Sequence, residues 1–295
     1  MALTAAEPQV GDVFDPVTIS LTKRLVDDYV NATGDTTFAA HAASMKLVTG
    51  LDIAPPTVFD RDMGSRLSQQ LHLNGYSLHA KQEFTFMRPL QQGVEYTITG
   101  TVTNVYSKNG ADYFTFQSEC CSADGEVAMR TLKTSAFRFP GNKYLERPER
   151  HQPTLQSFLA DSRANDGTVF PAVGSIVEGS PLHLTRDLMN LYSGPQSGHH
   201  TNAHVARVKG HKDSIVQGLS ISAHESTLYR EVFGLSWYTG GRMSVAYIKP
   251  ILANSMLIPV GVVMEHVGDQ FTVRTAIFDQ DLEVVTIGTV VVDLT

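Results

Sequence analysis

LTRDLMNLY (184–192) repeats LTKRLVDDY (21–29) at an offset of 163 residues, and this repeated segment indicates how the chain is organised. Two more segments recur in the same order, at offsets of 161 and 157 residues: FMRPLQQG (86–93) as YIKPILAN (247–254), and DGEVA (124–128) as DLEVV (281–285). Unrelated halves of similar composition would not keep both order and spacing. The matches therefore predict two tandem copies of one fold.

Each copy is predicted to place helices before an antiparallel sheet. From Thr22, apolar residues at Leu25, Val26 and Tyr29 have helical spacing, and the segment ends at Gly34. Four strand-like segments follow: KQEFTFMRPL (81–90), VEYTITGTVTNVYSKN (94–109), DYFTFQSECCS (112–122) and EVAMRTLKTSAFRF (126–139). Asn-Gly at 109–110 and Asp-Gly at 124–125 are typical of hairpin turns. The fold class is therefore predicted to be α+β.

The two copies differ in the helix that their sheets would surround. GLSISAHESTLYREVFG (218–234) is predicted to form a long central helix. The corresponding region of the first copy, after Pro56, is interrupted by Asp60, Asp62 and Gly64. We therefore expect a full central helix in the C-terminal copy. The predicted units are residues 1–140, a linker at 141–160 and residues 161–295; the proline- and charge-rich stretch PGNKYLERPERHQP (140–153) marks the linker.

Composition excludes several classes of function. The formal net charge of −7 and the dispersed basic residues argue against binding to nucleic acid or an anionic membrane. The N-terminus does not resemble a signal peptide, and no apolar run is long enough to span a bilayer. The two cysteines, Cys120 and Cys121, are adjacent and suit a reducing compartment. These features predict a soluble cytoplasmic protein without a cofactor.

Residues 191–219, LYSGPQSGHHTNAHVARVKGHKDSIVQGL, contain four of the eleven histidines. Imidazole is the side chain best suited to proton transfer near neutral pH, so any chemistry is expected here. His200 and His204 have a spacing that would suit zinc on one helical face. No third ligand stands at a suitable spacing, and Asn202-Ala203 is expected to begin the helix, so no metal is predicted.

These motifs resemble the MaoC-like hydratases and dehydratases in their double-hotdog form. The C-terminal half has Tyr192-Ser193-Gly194, then His200-Thr201, and Ile215-Val216-Gln217-Gly218 before the central helix. The N-terminal half resembles the family's inactive copy, in the ordered segments ATGD (32–35), GLDIAPPT (50–57), EF (83–84) and RP (88–89). The resemblance covers nearly the whole chain, and it implies two hotdog units with the catalytic one at the C-terminus.

The same comparison shows where this sequence departs from the family pattern. Counted from Tyr192, the family's catalytic aspartate falls at Pro195, its asparagine at Ser197 and its catalytic histidine at His200. The histidine that usually precedes the central glycine is Gln217. Proline has no side chain that can carry a proton, so the standard mechanism does not transfer intact.

The resemblance implies hydration of a trans-2-enoyl thioester, or dehydration of a 3-hydroxyacyl thioester, carried by coenzyme A or a carrier protein. A homodimer is also implied. His200 would be the base, and the helix N-terminus at Gly218 would receive the charge that develops on the thioester oxygen. His199 is the alternative base if the loop is shifted by one residue. The predicted site comprises catalytic His200, Gly218, Ser197 and His199, and substrate-binding Tyr192, Ser193, Ile215 and Gln217.

The missing aspartate leaves several alternatives open. Asp213 could replace it, although its position in the sequence suggests an exposed loop. Ser193 or Ser197 could hold the water in a hydratase with one titrating group. A single base could instead support double-bond isomerisation or ring closure in polyketide-type biosynthesis. The fold could also be a non-catalytic module that binds an acyl thioester.

Overall fold

The computed structural model describes residues 7–66, 77–138, 153–160, 162–164, 170–195 and 197–295. Eleven strands lie within these residues: β1 (Val17–Ser20), β2 (Leu78–Phe86), β3 (Glu95–Lys108), β4 (Ala111–Ser122), β5 (Val127–Arg138), β6 (Ile176–Glu178), β7 (Leu182–His183), β8 (Gly241–Tyr247), β9 (Met256–Val267), β10 (Gln270–Phe278) and β11 (Val284–Asp293). They form an antiparallel sheet in the order β1-β3-β4-β5-β2-β8-β11-β10-β9-β6, and β7 pairs with β9.

The helices of the described residues are α1 (Lys23–Thr33), α2 (Phe38–Thr49), α3 (Leu155–Phe158), α4 (Arg186–Ser193), α5 (Ala203–Val208), α6 (Gly218–Phe233) and α7 (Leu235–Gly240). A π-helical turn covers Asp62–Arg66, and a 3-10 turn covers Gly198–His200. The predicted α+β class, with helices before an antiparallel meander in each half, is confirmed.

The repeated segments occupy equivalent places in the two halves. Helices α1 and α4 begin alike, because the Thr22 and Thr185 hydroxyls accept hydrogen bonds from the backbone N–H groups of Leu25 and Leu188. Strand β2 ends at Phe86 and β8 at Tyr247, the residues that begin the second repeat. The two predicted hairpin turns, at 109–110 and 124–125, connect β3 to β4 and β4 to β5.

The halves join through strands β2 and β8, which pair over five residues from Lys81↔Ala246 to Thr85↔Arg242. One sheet therefore runs through both halves of a single chain. The proposed division into 1–140, 141–160 and 161–295 stays a prediction, and residues 141–152 of the expected linker lie outside the described residues.

Helix α6 is the predicted long helix of the C-terminal half. Its residues Leu219, Ile221 and Leu228 are buried, and it packs against β2, β6, β8 and β9, so strands from both halves contact it. In the N-terminal half, where no full central helix is expected, the π-helical turn ends at Arg66, and residues 67–76 lie outside the described part.

Buried polar contacts also link the halves. Arg230 of α6 pairs with Asp35, and the side chains are 1% and 5% exposed. Burial opposes ionisation of Asp35, but hydrogen bonds and the charge of Arg230 outweigh it and lower the pKa of the carboxyl. The ATGD motif of the N-terminal copy thus holds its aspartate in an ion pair with the other half.

Candidate active site

The turn that carries His200 is attached to the approach of α6. The His200 Nδ1 atom lies 2.8 Å from the Ile215 carbonyl oxygen, and the Ile215 N–H donates to the His199 carbonyl at 3.1 Å. A carbonyl only accepts hydrogen bonds, so Nδ1 must carry the proton of the neutral ring. The other ring nitrogen, Nε2, then has a lone pair that can accept a proton.

The charge state of His200 follows from its surroundings. Burial lowers its pKa to about 4, the hydrogen bond to Ile215 opposes this shift, and the nearby bases Lys209, Lys133 and His211 lower the pKa further. The ring is therefore neutral at pH 7. The charges with the largest effect on this pKa all belong to bases.

The N-terminus of α6 has no side-chain cap. Gln217 occupies the N-cap position but makes no side-chain cap; its Oε1 atom instead accepts a hydrogen bond from Ser193 Oγ at 3.2 Å. The first backbone N–H groups of a helix lack partners within the helix and carry a positive partial charge. They can therefore bind an oxygen that becomes negative during a reaction.

Gly218 stands where a side chain would be crowded. A Cβ atom there would lie 3.0 Å from the Tyr247 ring and 3.1 Å from His79 Nδ1. Glycine therefore lets Tyr247 and His79 pack directly against the backbone where α6 begins. The structure thus brings together five of the predicted residues, namely His200, Ile215, Ser193, Gln217 and Gly218.

His199 lies beside His200 in the 3-10 turn, and Ser197 directly precedes this turn. The His199 ring lies 4.0 Å from the His200 ring, and its Nδ1 atom is 3.2 Å from Lys209 Nζ. Burial, with the positive potential of the neighbouring bases, lowers the pKa of His199 to about 2. The Ser197 carbonyl accepts from the His200 N–H at 3.1 Å, so the Ser197 backbone shapes the turn.

The structure places the Tyr192 hydroxyl in a different cluster. Tyr192 is 3% exposed, and its hydroxyl donates to Asp60 Oδ1 at 2.8 Å. Asp213, the alternative acid, is paired with Arg186 at 2.5 Å. Pro195 is exposed. In the residues that the structure describes, no group of three or more His, Cys, Asp or Glu side chains could hold a metal ion.

Sequence reasoning missed two groups from the N-terminal half. His79 of β2 contacts Gly218, and Lys133 of β5 contributes to the electrostatics of both His79 and His200. Lys133 lies two residues from each of the buried Thr131 and Ser135, so it shares their face of β5. This spacing could have marked it as facing inward. His79 gave no such signal, because its orientation depends on a β-bulge.

The comparisons with known proteins agree with this architecture. Residues 8–131 match the family model described as "FAS1-like, dehydratase domain region". No curated protein matches the chain in sequence. None of the described helices is long and apolar enough to cross a membrane.

Solved structures match over nearly the full length. A MaoC-like dehydratase matches with a TM-score of 0.77 and 16% identity, over 97% of this chain and 98% of its own. A putative MaoC domain protein dehydratase from Chloroflexus aurantiacus matches with a TM-score of 0.68 and 16% identity, over 99% and 98%. A Mycobacterium tuberculosis protein with a double hotdog fold matches with a TM-score of 0.63 and 14% identity, over 96% and 95%.

At these identities the solved structures show the fold, which is the double hotdog. The N-terminal half additionally matches a dehydratase domain model. The predicted double-hotdog fold is thereby confirmed, and the predicted resemblance to MaoC-like proteins is confirmed at the level of the fold.

Proposed function

We propose that the protein is a hydro-lyase that adds water to trans-2-enoyl thioesters or removes it from 3-hydroxyacyl thioesters. The observation that carries this proposal is the fixed His200 ring, whose Nδ1 is held by the Ile215 carbonyl, three residues before the uncapped α6 begins. This arrangement offers one proton acceptor and one site for a developing negative charge, which are two of the groups that the reaction requires.

In the hydration direction, His200 Nε2 takes a proton from water while the water oxygen bonds to the β-carbon of the substrate. The electron pair of the carbon–carbon double bond moves toward the thioester, and the oxygen that becomes negative accepts hydrogen bonds from the first N–H groups of α6. The imidazolium of His200 then returns its proton to the α-carbon. Because burial disfavours its charged form, the imidazolium gives up this proton readily.

A second candidate is an isomerase or cyclase that moves a proton with a single base. It is favoured by the surroundings of His200, where Pro195 occupies the position of the family's aspartate and the charges described nearby belong to bases. One base and a site for an enolate are sufficient to transfer a proton between carbons. The proposed substrates are thioesters of coenzyme A or of an acyl carrier protein, and the proposed assembly is a homodimer.

The first experiment is to follow the loss of enoyl-thioester absorbance with trans-2-enoyl-CoA substrates of graded chain length. His200→Ala and His200→Gln should abolish turnover, because neither side chain can accept the proton of water. His204→Ala is the matched control, since His204 is an exposed histidine four residues further along. Equal rates for wild type and both His200 variants would refute the assignment.

Pro195→Asp separates the two candidate functions. If the wild type is inactive and Pro195→Asp gains hydration, the scaffold is complete but the natural reaction is the single-base one. Isomerisation would then be measured directly, by movement of the double bond in a 3-enoyl thioester. If the wild type and all variants are inactive in both assays, the hydro-lyase and isomerase proposals both fail.

A further inference from the structure

A small polar cavity lies between the two halves, beside the ion pair of Arg230 and Asp35. Its volume is about 10 Å³, taken as the space open to the centre of a water molecule. Residues of α6 and of the N-terminal half line it, among them Asp35, Thr57, Ala223, Ser226 and Arg230. One water needs roughly 10–15 Å³ on this measure, so the cavity has the size of a single water and excludes an acyl group.

One nitrogen of the Arg230 side chain takes no part in the ion pair. Arg230 is 1% exposed; its Nη1 atom donates to Asp35, and its Nη2 atom donates to Asp35 at 3.1 Å and to Thr37 at 2.6 Å. Its Nε atom is buried and has no hydrogen-bond partner among the described residues. A buried donor without an acceptor destabilises the fold, and this one belongs to a guanidinium that does not lose its proton. An acceptor is therefore expected beside Nε.

The other polar groups that line the cavity suit a water molecule. The Ser226 hydroxyl accepts a hydrogen bond from Trp237 Nε1 at 2.9 Å and has a proton of its own to donate. The carboxylate of Asp35, which pairs with Arg230, can only accept. The cavity thus offers two donors, Arg230 Nε and the Ser226 hydroxyl, together with one acceptor. A buried water bonds such a mixture, because it can both donate and accept.

Two of the lining residues have counterparts in the C-terminal copy. By the internal repeat, Thr57 corresponds to Gly218, at an offset of 218 − 57 = 161, and Asp35 to Pro195, at an offset of 195 − 35 = 160. The repeated segments have offsets of 157–163 residues, so both pairs fall within their range. Gly218 leaves the start of α6 without a side chain, whereas Thr57 fills the equivalent position. The cavity is therefore the counterpart, in the N-terminal copy, of the region between Pro195 and Gly218.

We propose that this cavity binds one water molecule, which accepts a hydrogen bond from Arg230 Nε and donates one to Asp35. The Ser226 hydroxyl supplies a further donor, and buried waters typically make about three hydrogen bonds. Arg230 and Ser226 belong to α6, whereas Asp35 precedes α2, so the water bridges the two halves. The inference is independent of the proposed reaction, because it does not involve His200 or the substrate.

Crystallography and water relaxation test the proposal on the whole chain. A high-resolution crystal structure of the wild type should show one water within about 2.7–3.2 Å of Arg230 Nε. In solution, magnetic relaxation dispersion of oxygen-17 water counts the buried waters that stay in the protein for longer than it takes to tumble. Ala223→Ser adds a hydroxyl to the cavity wall, which can take the place of the water. Ala206→Ser is the control, at another buried alanine of a helix.

The expected result is one long-lived water fewer in Ala223→Ser than in the wild type, and no change in Ala206→Ser. The crystal structure of Ala223→Ser should show its Oγ atom beside Arg230 Nε. Equal water counts in the wild type and Ala223→Ser would overturn the proposal. So would a wild-type crystal structure in which the cavity is dry or holds an ion. This second measurement decides the question even if Ala223→Ser does not fold, because it uses the wild type alone.

Discussion

Asp60→Asn should raise the free energy of unfolding at neutral pH, although it replaces a residue with two hydrogen-bond partners. Asp60 is 1% exposed; Tyr192 donates to its Oδ1 at 2.8 Å, and Tyr29 Oη lies 3.1 Å from its Oδ2. Tyr29 Oη is also 3.0 Å from Thr57 Oγ1. Tyr29 has one phenolic proton, so it can donate to Asp60 or to Thr57 but not to both at once, and a proton on the Asp60 carboxyl supplies the donor that is otherwise missing.

The magnitude follows from the pKa of Asp60. Burial raises it from 3.8 to about 8, against the opposing hydrogen bonds from Tyr192 and Tyr29. The unfolded chain releases this proton near pH 3.8, whereas the folded protein keeps it until about pH 8. The stabilisation is therefore complete below pH 3.8 and is lost as the pH rises toward 8, by about 1.4 kcal/mol per pH unit. Between pH 3.8 and 7 the loss is on the order of 4 kcal/mol.

Asparagine cannot ionise, and it keeps one donor and one acceptor in nearly the same shape as the protonated acid. The difference in unfolding free energy between Asp60→Asn and wild type should therefore grow in favour of the variant from pH 5 to pH 8. Urea titrations followed by the fluorescence of Trp237, the single and fully buried tryptophan, would measure it.

Taking the difference between the two proteins removes the titration of all other groups. A difference that stays constant from pH 5 to 8 would show that Asp60 does not carry its proton into the neutral range. A carboxylate in the folded protein would give this constant difference, because the unfolded chain has already released the proton above pH 5. That result would refute the reasoning.

Three further outcomes are expected. Arg230→Met leaves Asp35 buried without its ion-pair partner, so it should lower the free energy of unfolding by about 3–5 kcal/mol, and Asp35→Asn in the same chain should restore part of the loss in a denaturant titration. Thr185→Ala removes the N-cap of α4 and should cost about 1 kcal/mol, whereas Thr185→Asp should retain the stability in the same titration. The pKa values of His199 and His200 are about 2 and about 4, below the ordinary 6.5, so the unfolded chain binds more protons than the folded protein. Stability should therefore fall as the pH drops below 6.5. Replacing both histidines by Phe should flatten this dependence in unfolding midpoints measured from pH 7 to 4.5.

Local patterns were sufficient to predict most of the fold. The threonine before each repeated helix, the Asn-Gly and Asp-Gly turns, and the long apolar pattern from Gly218 each concern residues close in sequence. The contact of His200 with Ile215, three residues before Gly218, was also accessible, because only a short helix and a turn separate the two residues in the chain.

Features that depend on register could not be predicted in this way. One extra residue in β2 decides whether His79 faces solvent or Gly218, and nothing in the local sequence marks the position of that bulge. The Tyr192 hydroxyl was assigned to substrate binding from its place in the motif, whereas the structure joins it to Asp60, 132 residues earlier in the chain. Such pairings depend on how the two copies pack, which a single sequence does not reveal.

The way in which the copies diverged follows from the same packing. The repeated tyrosines, Tyr29 and Tyr192, meet at one carboxyl group, with ring centroids 6.1 Å apart. At offsets of 161–163 residues, Asp60 corresponds to a position between Ile221 and Ala223, on the buried part of α6. Ser222 stands in the middle of this range, and its hydroxyl is hydrogen-bonded to the Tyr247 hydroxyl, so the acid is not repeated in the second copy. One copy therefore supplies the acid that both tyrosines share, and the other is free to extend an uninterrupted helix whose N-terminus forms the candidate site.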